Sequence, residues 1–253
     1  MALDMSTIAI INGGNAFVRR YDPRSAARNA KQIARLFPAD CTLNILGYDT
    51  TATPPYDVDT IADAFAAMIR TQHGAVALAG ISFGGFVATR LAARHPELVR
   101  NLILISTAHR FSEEGLHRVR EQRASAARGD FLAMARPFLT LFRKRWRNHL
   151  LRAAMWLRRN SLAEKMNAPE FIAAMLDSAP AASGRESAHL QSVRAKTLLI
   201  AGTHDQFFDE AAVRETASMI PSAKVTLFPN ETHMLAIEQP RAVTEAIESF
   251  LRE

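Results

Sequence analysis

The sequence predicts an α/β protein with a doubly wound, mostly parallel sheet of about six strands and an inserted helical cap. Short apolar runs alternate with stretches of helical periodicity along most of the chain. One apolar run leads directly into a Gly-x-Ser-x-Gly turn, and a helical stretch follows that turn. The alternation breaks once, because residues 108–190 contain helical stretches but no strand-like run. We therefore predict a core of residues 1–107 and 191–253, with a helical cap at residues 108–190.

Six short apolar runs that alternate with helical stretches are predicted as strands, and the one at residues 75–79 has the pattern of a strand buried on both faces of a parallel sheet. They lie at residues 7–11, 42–46, 75–79, 102–105, 197–201 and 225–228. Helices are predicted where apolar residues recur at helical spacing. They lie at residues 25–37, 59–71, 86–95 and 241–251. This order of strands and helices implies right-handed crossovers between parallel strands.

The clearest helix of the predicted cap begins at Pro137, since proline is favoured at the first position of a helix. Its apolar residues fall on one face and its basic residues cover most of the other. The apolar residues are Phe138, Leu139, Phe142, Trp146, Leu150, Ala153, Trp156 and Leu157. We expect this apolar face, with both tryptophans, to cover a substrate pocket.

The composition is that of a soluble globular protein, with 48% hydrophobic and 22% charged residues in a chain of 253. No apolar run reaches the length that spans a membrane, and the N-terminus lacks the pattern of a secretory signal. The single cysteine, Cys41, excludes a disulfide within the chain and fits a reducing compartment. We expect a cytoplasmic protein, and the composition leaves its oligomeric state open.

Most of the positive charge lies in one segment. Residues 108–160 contain thirteen Arg or Lys and four Asp or Glu, whereas the rest of the chain is slightly acidic. Three interpretations stay open: the solvated back of the cap helices, a surface that attracts acidic substrates, and contact with an anionic membrane. The sequence favours the first and does not favour the membrane. No nucleic-acid-binding motif accompanies the charge, so we expect no nucleic acid partner.

Ser82 is the first candidate for a catalytic residue. It lies at the apex of a predicted strand–turn–helix unit, with Gly80 and Gly84 two positions away on either side. In a nucleophile elbow the serine adopts a strained conformation that projects its hydroxyl above the sheet, and the glycines remove Cβ atoms that would collide. An ordinary glycine-rich turn would share the bare motif, but the flanking strand and helix favour the elbow.

Asp205 and His233 complete a predicted catalytic triad with Ser82. Asp205 follows the fifth predicted strand, and His233 lies in the loop after the sixth. Loops that follow the carboxyl ends of parallel strands share one edge of the sheet, so the three side chains can meet there. His233 would then accept the proton of Ser82, and Asp205 would fix the orientation of the imidazole.

With these motifs in place, the chain resembles an α/β-hydrolase with a lid, over essentially its full length. The resemblance rests on Gly80-Ile-Ser-Phe-Gly-Gly85, on Leu199-Ile-Ala-Gly-Thr-His-Asp205, and on Glu231-Thr-His233 ahead of Glu238-Gln-Pro240. It implies an oxyanion hole made by the backbone N–H groups of Phe83 and of Gly14, with Asn15 as the alternative to Gly14. Only six residues precede the first strand, so we expect the antiparallel hairpin that opens the family's sheet to be missing.

Two further departures from the family pattern weaken assignment to a known subfamily. Many relatives carry His-Gly after the first strand, where this chain has Asn12-Gly13. Many also carry a Gly- and Arg-rich loop after the second strand, where this chain has the sequence Asp-Thr-Thr-Ala-Thr-Pro at residues 49–54. Neither departure touches the predicted triad.

Four residues are candidates for the substrate pocket: Asn15, Phe142, Trp146 and Phe207. For Phe207, which follows Asp205 closely, packing in the core beneath the cap is an equally good interpretation. The histidines show no metal-ligand spacing, and no cofactor motif is present, so we predict neither metal nor cofactor.

The sequence therefore predicts a serine hydrolase, most simply a carboxylesterase or lactonase. Ser82 would attack an ester, lactone, thioester or similar carbonyl of a small, largely apolar acyl substrate. Carbon–carbon bond hydrolysis, acyl transfer and perhydrolysis use similar sites and stay open. A ligand-binding or receptor-like protein of the same fold with little turnover is the alternative from a different class.

Overall fold

The structure is a computed structural model, and it describes residues 7–51, 56–72, 74–183 and 187–253. Six strands form one sheet in the order β2-β1-β3-β4-β5-β6, and each strand is parallel to its neighbours. The strands are β1 (Thr7–Ile11), β2 (Thr42–Leu46), β3 (Val76–Ile81), β4 (Val99–Ile105), β5 (Lys196–Gly202) and β6 (Ala223–Phe228). The predicted fold class is confirmed.

The two faces of the sheet pack into two separate hydrophobic clusters. Successive side chains of a strand point to opposite faces. In β1, Ile8 and Ile10 accordingly enter one cluster, and Ala9 and Ile11 enter the other. The four central strands, β1, β3, β4 and β5, are therefore largely buried on both faces, which is why they read as nearly continuous apolar runs, whereas the edge strands β2 and β6 are only half-buried.

Eleven α-helices lie in the described part of the chain. They are α1 (Asn15–Val18), α2 (Pro23–Ala34), α3 (Val58–Gln72), α4 (Phe83–Arg94), α5 (Glu113–Ala127), α6 (Phe131–Ala135), α7 (Arg145–Leu157), α8 (Pro169–Ala182), α9 (Glu210–Met219), α10 (Leu235–Glu238) and α11 (Pro240–Leu251). Helices α2 and α11 cover one face of the sheet, while α3, α4 and α9 cover the other. None of these described helices is long and apolar enough to cross a membrane.

Helices α5 to α8 fall between β4 and β5, and together they are called the helical segment (residues 113–182) below. Short 3-10 turns connect them, and α5 packs against α8. Apolar side chains of the segment join the same cluster as the α3 and α4 side of the sheet, among them Val119 and Phe171. The segment is thus anchored on one face of the core.

The helix predicted from Pro137 onward differs from the structure. Residues Arg136–Thr140 form a short 3-10 helix, and α7 begins only at Arg145. The amide of Asn148 explains the break, because its oxygen accepts the N–H of Phe142 at 3.0 Å and its nitrogen donates to the carbonyl of the same residue at 2.9 Å. These bonds take up backbone groups that a continuous helix would use itself.

The apolar residues of α7 are also not where the sequence led us to expect them. Trp146 and Trp156 are 56% and 60% exposed, and Leu150 and Leu157 are 60% and 73% exposed. The expected arrangement, with both tryptophans covered above a pocket, is wrong. The buried side of α7 is formed instead by Asn148, together with half-buried neighbours.

Candidate active site

Ser82 lies between β3 and α4 in a strained backbone conformation. Its φ of 53° and ψ of −121° fall in a region of backbone conformation that residues other than glycine rarely adopt. Hydrogen bonds hold it there: its N–H donates to the Ile105 carbonyl of β4 at 3.0 Å, and its carbonyl accepts the N–H of Gly85 at 2.9 Å. The strand–turn–helix unit predicted around Ser82 is therefore present.

The glycines two positions before and after Ser82 lie where the serine turn packs closely against β1 and α4. A Cβ atom on Gly84 would lie 2.1 Å from the carbonyl oxygen of Ile11 at the end of β1. A Cβ atom on Gly80 would lie 2.7 Å from the Cβ of Ala88 in α4. Both distances are far below van der Waals contact, so this turn can pack against β1 and α4 only if both positions are glycine.

The three predicted side chains meet at the carboxyl edge of the sheet. The hydroxyl of Ser82 lies 3.0 Å from Nε2 of His233. Nδ1 of the same imidazole lies 3.0 and 2.9 Å from the two carboxylate oxygens of Asp205. These distances join the serine, the histidine and the aspartate in one hydrogen-bonded relay.

Asp205 is held rigidly in this relay. Its carboxylate is fully buried, and its Oδ1 accepts the backbone N–H groups of Phe207 at 2.8 Å and Phe208 at 3.1 Å. An ionised carboxylate can only accept hydrogen bonds, so Nδ1 of His233 must be the donor. The assigned tautomer leaves Nε2 without a proton and able to accept one from the hydroxyl of Ser82.

The loop after β1 lies directly against the serine. A Cβ atom on Gly13 would be 3.1 Å from the Cβ of Ser82. The side chain of Asn12 accepts the N–H of Gly13 at 2.9 Å, so that N–H is already engaged. Gly14 caps the N-terminus of α1 and Phe83 begins α4, and N–H groups at such positions have no partner within the helix. These two residues are the ones predicted to form the oxyanion hole.

Tyr48 is a contributor to this loop that the sequence interpretation missed. Its hydroxyl donates to the backbone carbonyl of Asn12 at 2.7 Å. Its ring contacts those of Phe17 and Phe83 edge-on, with centroids 5.6 and 6.0 Å apart. Burial raises the pKa of the Tyr48 phenol, which therefore stays protonated and available as a donor. Its position two residues after β2 was the only signal in the sequence.

The four pocket candidates occupy different surroundings. Phe207 is buried, and its ring centroid lies 4.7 Å from that of the His233 imidazole. Asn15 is exposed at the start of α1, next to Gly14. Phe142 and Trp146 instead contact the guanidinium of Arg147, at 5.7 and 5.4 Å from the ring centroids. Only Phe207 is thus placed against the relay by a described contact.

An ion pair beside His233, with a buried acid and a partly exposed arginine, was also missed. Glu231 in the loop before the histidine is only 5% exposed. Its Oε1 lies 3.0 Å from Nε of Arg143 and accepts Nε2 of Gln239 at 2.8 Å. Glu238 accepts the backbone N–H groups of Arg143 and Lys144 at 2.8 and 3.1 Å. Glu231 and Glu238, which lie on either side of His233 in the sequence, thus bind the chain just before α7. The loop between β6 and α10 that carries His233 is called the histidine loop below.

Two basic hollows lie elsewhere on the surface. The larger, about 580 Å³, is lined by eleven residues, among them four arginines of the α1–α2 region, Arg158 at the end of α7, Asp22 and Glu164. The smaller, about 300 Å³, lies beside the start of α7. Within the described ranges, no group of three or more His, Cys, Asp or Glu side chains is placed to hold a metal ion.

Two curated relatives are similar to this chain in sequence. A polyketide synthase, ThaQ, from Burkholderia thailandensis is 32% identical over 217 residues, which is 79% of this chain. A pimeloyl-[acyl-carrier protein] methyl ester esterase from Chromobacterium violaceum is 37% identical over 86 residues, which is 34% of this chain. The chain spans 10% of the length of the synthase and 32% of the length of the esterase.

Solved structures and family models agree on the fold. The enol-lactonase from Burkholderia xenovorans superposes with a TM-score of 0.73 at 22% identity, covering 98% of this chain and 92% of that one. A sequence model described as the alpha/beta hydrolase family matches residues 10–246. This match covers nearly the whole sheet and the helices around it, so the chain belongs to the alpha/beta hydrolase family.

Proposed function

We propose that this chain is a serine hydrolase that cleaves a carboxylic ester or thioester through an acyl-enzyme on Ser82. The observation that carries the proposal is the hydrogen-bonded relay from Ser82 through His233 to Asp205. A serine hydroxyl is a weak nucleophile until an adjacent base removes its proton. Nε2 of His233 lies at the right distance for that step, and the buried aspartate holds the imidazole in the required tautomer.

In the first half of the reaction, Oγ of Ser82 bonds to the carbonyl carbon while its proton moves to Nε2 of His233. The carbonyl π electrons move onto oxygen, and the tetrahedral oxyanion is stabilised by the N–H groups of Phe83 and Gly14. When the oxyanion collapses, the bond to the leaving group breaks. His233 returns the proton to the departing alcohol or thiol, and the acyl group stays on Ser82.

In the second half, a water molecule attacks the acyl-enzyme, with His233 as general base. The tetrahedral intermediate forms in the same oxyanion site and releases the carboxylic acid and free Ser82. Asp205 stabilises the imidazolium in both halves without accepting its proton. The strained conformation of Ser82 keeps Oγ at the apex of the turn, so no rearrangement of the backbone is needed between the steps.

For the substrate we propose a small, largely apolar acyl ester. Phe207 places an aromatic ring beside the imidazole, where an apolar acyl chain could pack. The name of the Chromobacterium relative, a methyl ester esterase, supports an ester in particular. Esters of medium-length neutral acids are therefore the first substrates to assay.

The proposal is tested with a fluorophosphonate probe and a panel of activated esters. Parent protein should be labelled once and should release a burst of product, whereas Ser82→Ala should lose labelling and on the order of 10³-fold or more of its activity. Ser106→Ala is the matched control. Ser106 follows the neighbouring strand, is buried and also has a positive φ, of 48°, but lies outside the relay.

Two results would overturn the proposal. One is near-full activity in Ser82→Ala together with labelling at another serine. The other is saturable ester binding without a product burst in the parent protein, which would support a binding protein instead.

A further inference from the structure

Helix α7 carries an apolar ridge that the rest of the described chain leaves exposed. Trp146, Leu150, Ala153 and Leu157 are spaced four, seven and eleven residues from the first, which places them on one side of a helix. The three large residues among them are 56%, 60% and 73% exposed, in chain order. Soluble proteins seldom expose a contiguous row of large apolar side chains unless it contacts something.

The opposite side of α7 fixes the ridge in its outward direction. Asn148 is buried and bonds twice to the backbone of Phe142, and Met155 packs against the hydrophobic core. Glu238 binds the two backbone N–H groups that precede the helix. Because α7 is held from behind and at its start, the ridge cannot turn inward without breaking these contacts.

Basic residues flank the ridge on both sides. Arg145, His149 and Arg152, spaced four and seven residues apart, follow one flank and line the smaller hollow. Arg147 and Arg158, spaced eleven apart, follow the other flank. Arg158 also contributes to the lining of the larger hollow, whose other basic residues are Arg19, Arg20, Arg24, Arg28 and Lys165. No acidic residue occurs between positions 131 and 163.

The tryptophans lie within this charge. The guanidinium of Arg159 lies 4.3 Å from the ring centroid of Trp156, and that of Arg147 lies 5.4 Å from the ring centroid of Trp146. These cation–π contacts keep a positive charge beside each exposed indole. Trp and Leu on one face with Arg on its margins is the composition of a helix that lies in a membrane interface.

We infer that α7 docks this protein on an anionic lipid bilayer, with the ridge in the boundary between headgroups and acyl chains. The arginines on either flank would contact lipid phosphates, which the two hollows can admit. A convex ridge enters a bilayer without a prepared groove, whereas a protein partner would have to supply one. A second copy of this chain is disfavoured because its own basic flanks would meet those of the first. From the sequence, the basic residues were best explained as the solvated back of the cap helices, and the membrane was not favoured. Because the tryptophans are exposed, we now place contact with an anionic membrane first.

The test uses the two tryptophans as reporters, because the chain contains only these two and both lie on or at the end of α7. Full-length protein is titrated with vesicles of phosphatidylcholine alone, or with about one quarter phosphatidylglycerol, and the bound fraction is measured by flotation. We expect binding to the anionic vesicles only, with emission shifting to shorter wavelength as the indoles leave water. High salt should weaken this binding.

Three double variants separate the ridge from its charge. Leu150→Ser with Leu157→Ser should weaken binding to anionic vesicles by about tenfold or more, and Arg145→Gln with Arg152→Gln should do the same. Met68→Ser with Arg241→Gln replaces an exposed apolar and an exposed basic residue on other helices, and should bind like the parent. Circular dichroism and hydrolysis of a soluble short ester verify that each variant is folded.

Several results would overturn the inference. These are binding that is equal for neutral and anionic vesicles, no emission shift with either, or parent-like binding by the ridge variant. An emission shift with polyglutamate but not with vesicles would assign the surface to an acidic protein instead. Sedimentation that shows self-association, lost in the ridge variant, would assign it to a second copy of the chain.

Discussion

Nε of Arg143 lies 3.0 Å from Oε1 of Glu231, two residues before His233 in the chain. The acid side chain is 7% exposed and that of the arginine 40%, so the pair sits at the boundary between core and solvent. The backbone N–H of the same arginine donates to Glu238. The start of α7 and the histidine loop are therefore tied together by one residue through both its side chain and its backbone.

Replacing Arg143 with methionine should destabilise the protein by about 1–2 kcal/mol, measured by urea unfolding. The cost arises because the carboxylate of Glu231 stays buried and, among the described residues, keeps only its bond to Gln239. Arg145→Met, two residues further on and exposed, is the control and should change stability by less than about 0.5 kcal/mol.

A double-mutant cycle isolates this pair. Glu231→Gln removes the charge while its amide oxygen can still accept from Gln239. If the ion pair stabilises the fold, the double variant Glu231→Gln with Arg143→Met should show a coupling free energy of about 1 kcal/mol between the two substitutions. Strict additivity of the two changes would mean that the ion pair contributes nothing to stability.

Asp205→Asn should leave the fold intact but lower kcat/KM by up to about 10⁴-fold. The amide oxygen can still accept the N–H groups of Phe207 and Phe208, whereas the amide nitrogen facing the imidazole would favour the wrong tautomer. Asp209→Asn is the matched control in the same loop. Asp209 caps α9 by accepting the N–H of Ala212, and asparagine caps equally well. Comparable losses in both variants would argue against a specific role for Asp205.

Gly84→Ala should destabilise the protein by about 3 kcal/mol or more, or prevent soluble expression. Its Cβ would meet backbone at 2.1 Å, and backbone cannot move aside as a flexible side chain can. Gly47→Ala is the control, because a Cβ there meets no described atom within 4 Å. Thermal unfolding of both variants gives the comparison, and equal melting temperatures would contradict the tight crossing seen between the serine turn and β1.

Protonation of His109 should lower the stability of the protein as the pH falls. This residue is 8% exposed, and its Nδ1 lies 2.9 Å from the hydroxyl of Thr216. Burial, and secondarily the charge of Arg110, lower the pKa of His109 below its ordinary value of 6.5, while Glu215 opposes the shift. The unfolded chain therefore binds the proton more readily. This contribution to stability is present above about pH 6.5 and is lost as the pH falls below it.

Urea unfolding at about pH 7.5 and about pH 5.5 measures this effect. The parent should lose more stability between the two pH values than His109→Gln does, because glutamine takes up no proton. His117→Gln serves as the control, since the side chain of His117 is 71% exposed, and it should lose as much stability as the parent. An unchanged pH dependence in His109→Gln would show that His109 is not responsible.

The predictions that agree with the structure rest on local patterns. Residues 7–11 and 42–46 are strands at the predicted bounds, because a short apolar run between helical stretches can be identified from the local sequence. Ser82 could be located because the turn that strains it requires glycines at fixed spacing. Its convergence with Asp205 and His233 followed from the topology, since parallel strands end at one edge.

The features that were missed depend on distant parts of the chain. The segment before α7 is held in part by Glu238, which lies 95 residues beyond the N–H group of Arg143 that it binds. Tyr48 reaches Asn12 across 36 residues. The exposure of Trp146 could not be predicted either, since amphipathic spacing says that a helix has an apolar face but not whether the fold covers it.

The hydrogen bond between Ser82 and His233 joins residues 151 positions apart, and this separation has a consequence for biosynthesis. A ribosome completes the serine turn, with its glycines and its strand, long before it has made β5 or β6. During that interval the hydroxyl lacks the histidine that is its general base in the proposed mechanism. Under that mechanism a nascent chain carries an inert serine, and reactivity would appear only when the last two strands join the edge of the sheet.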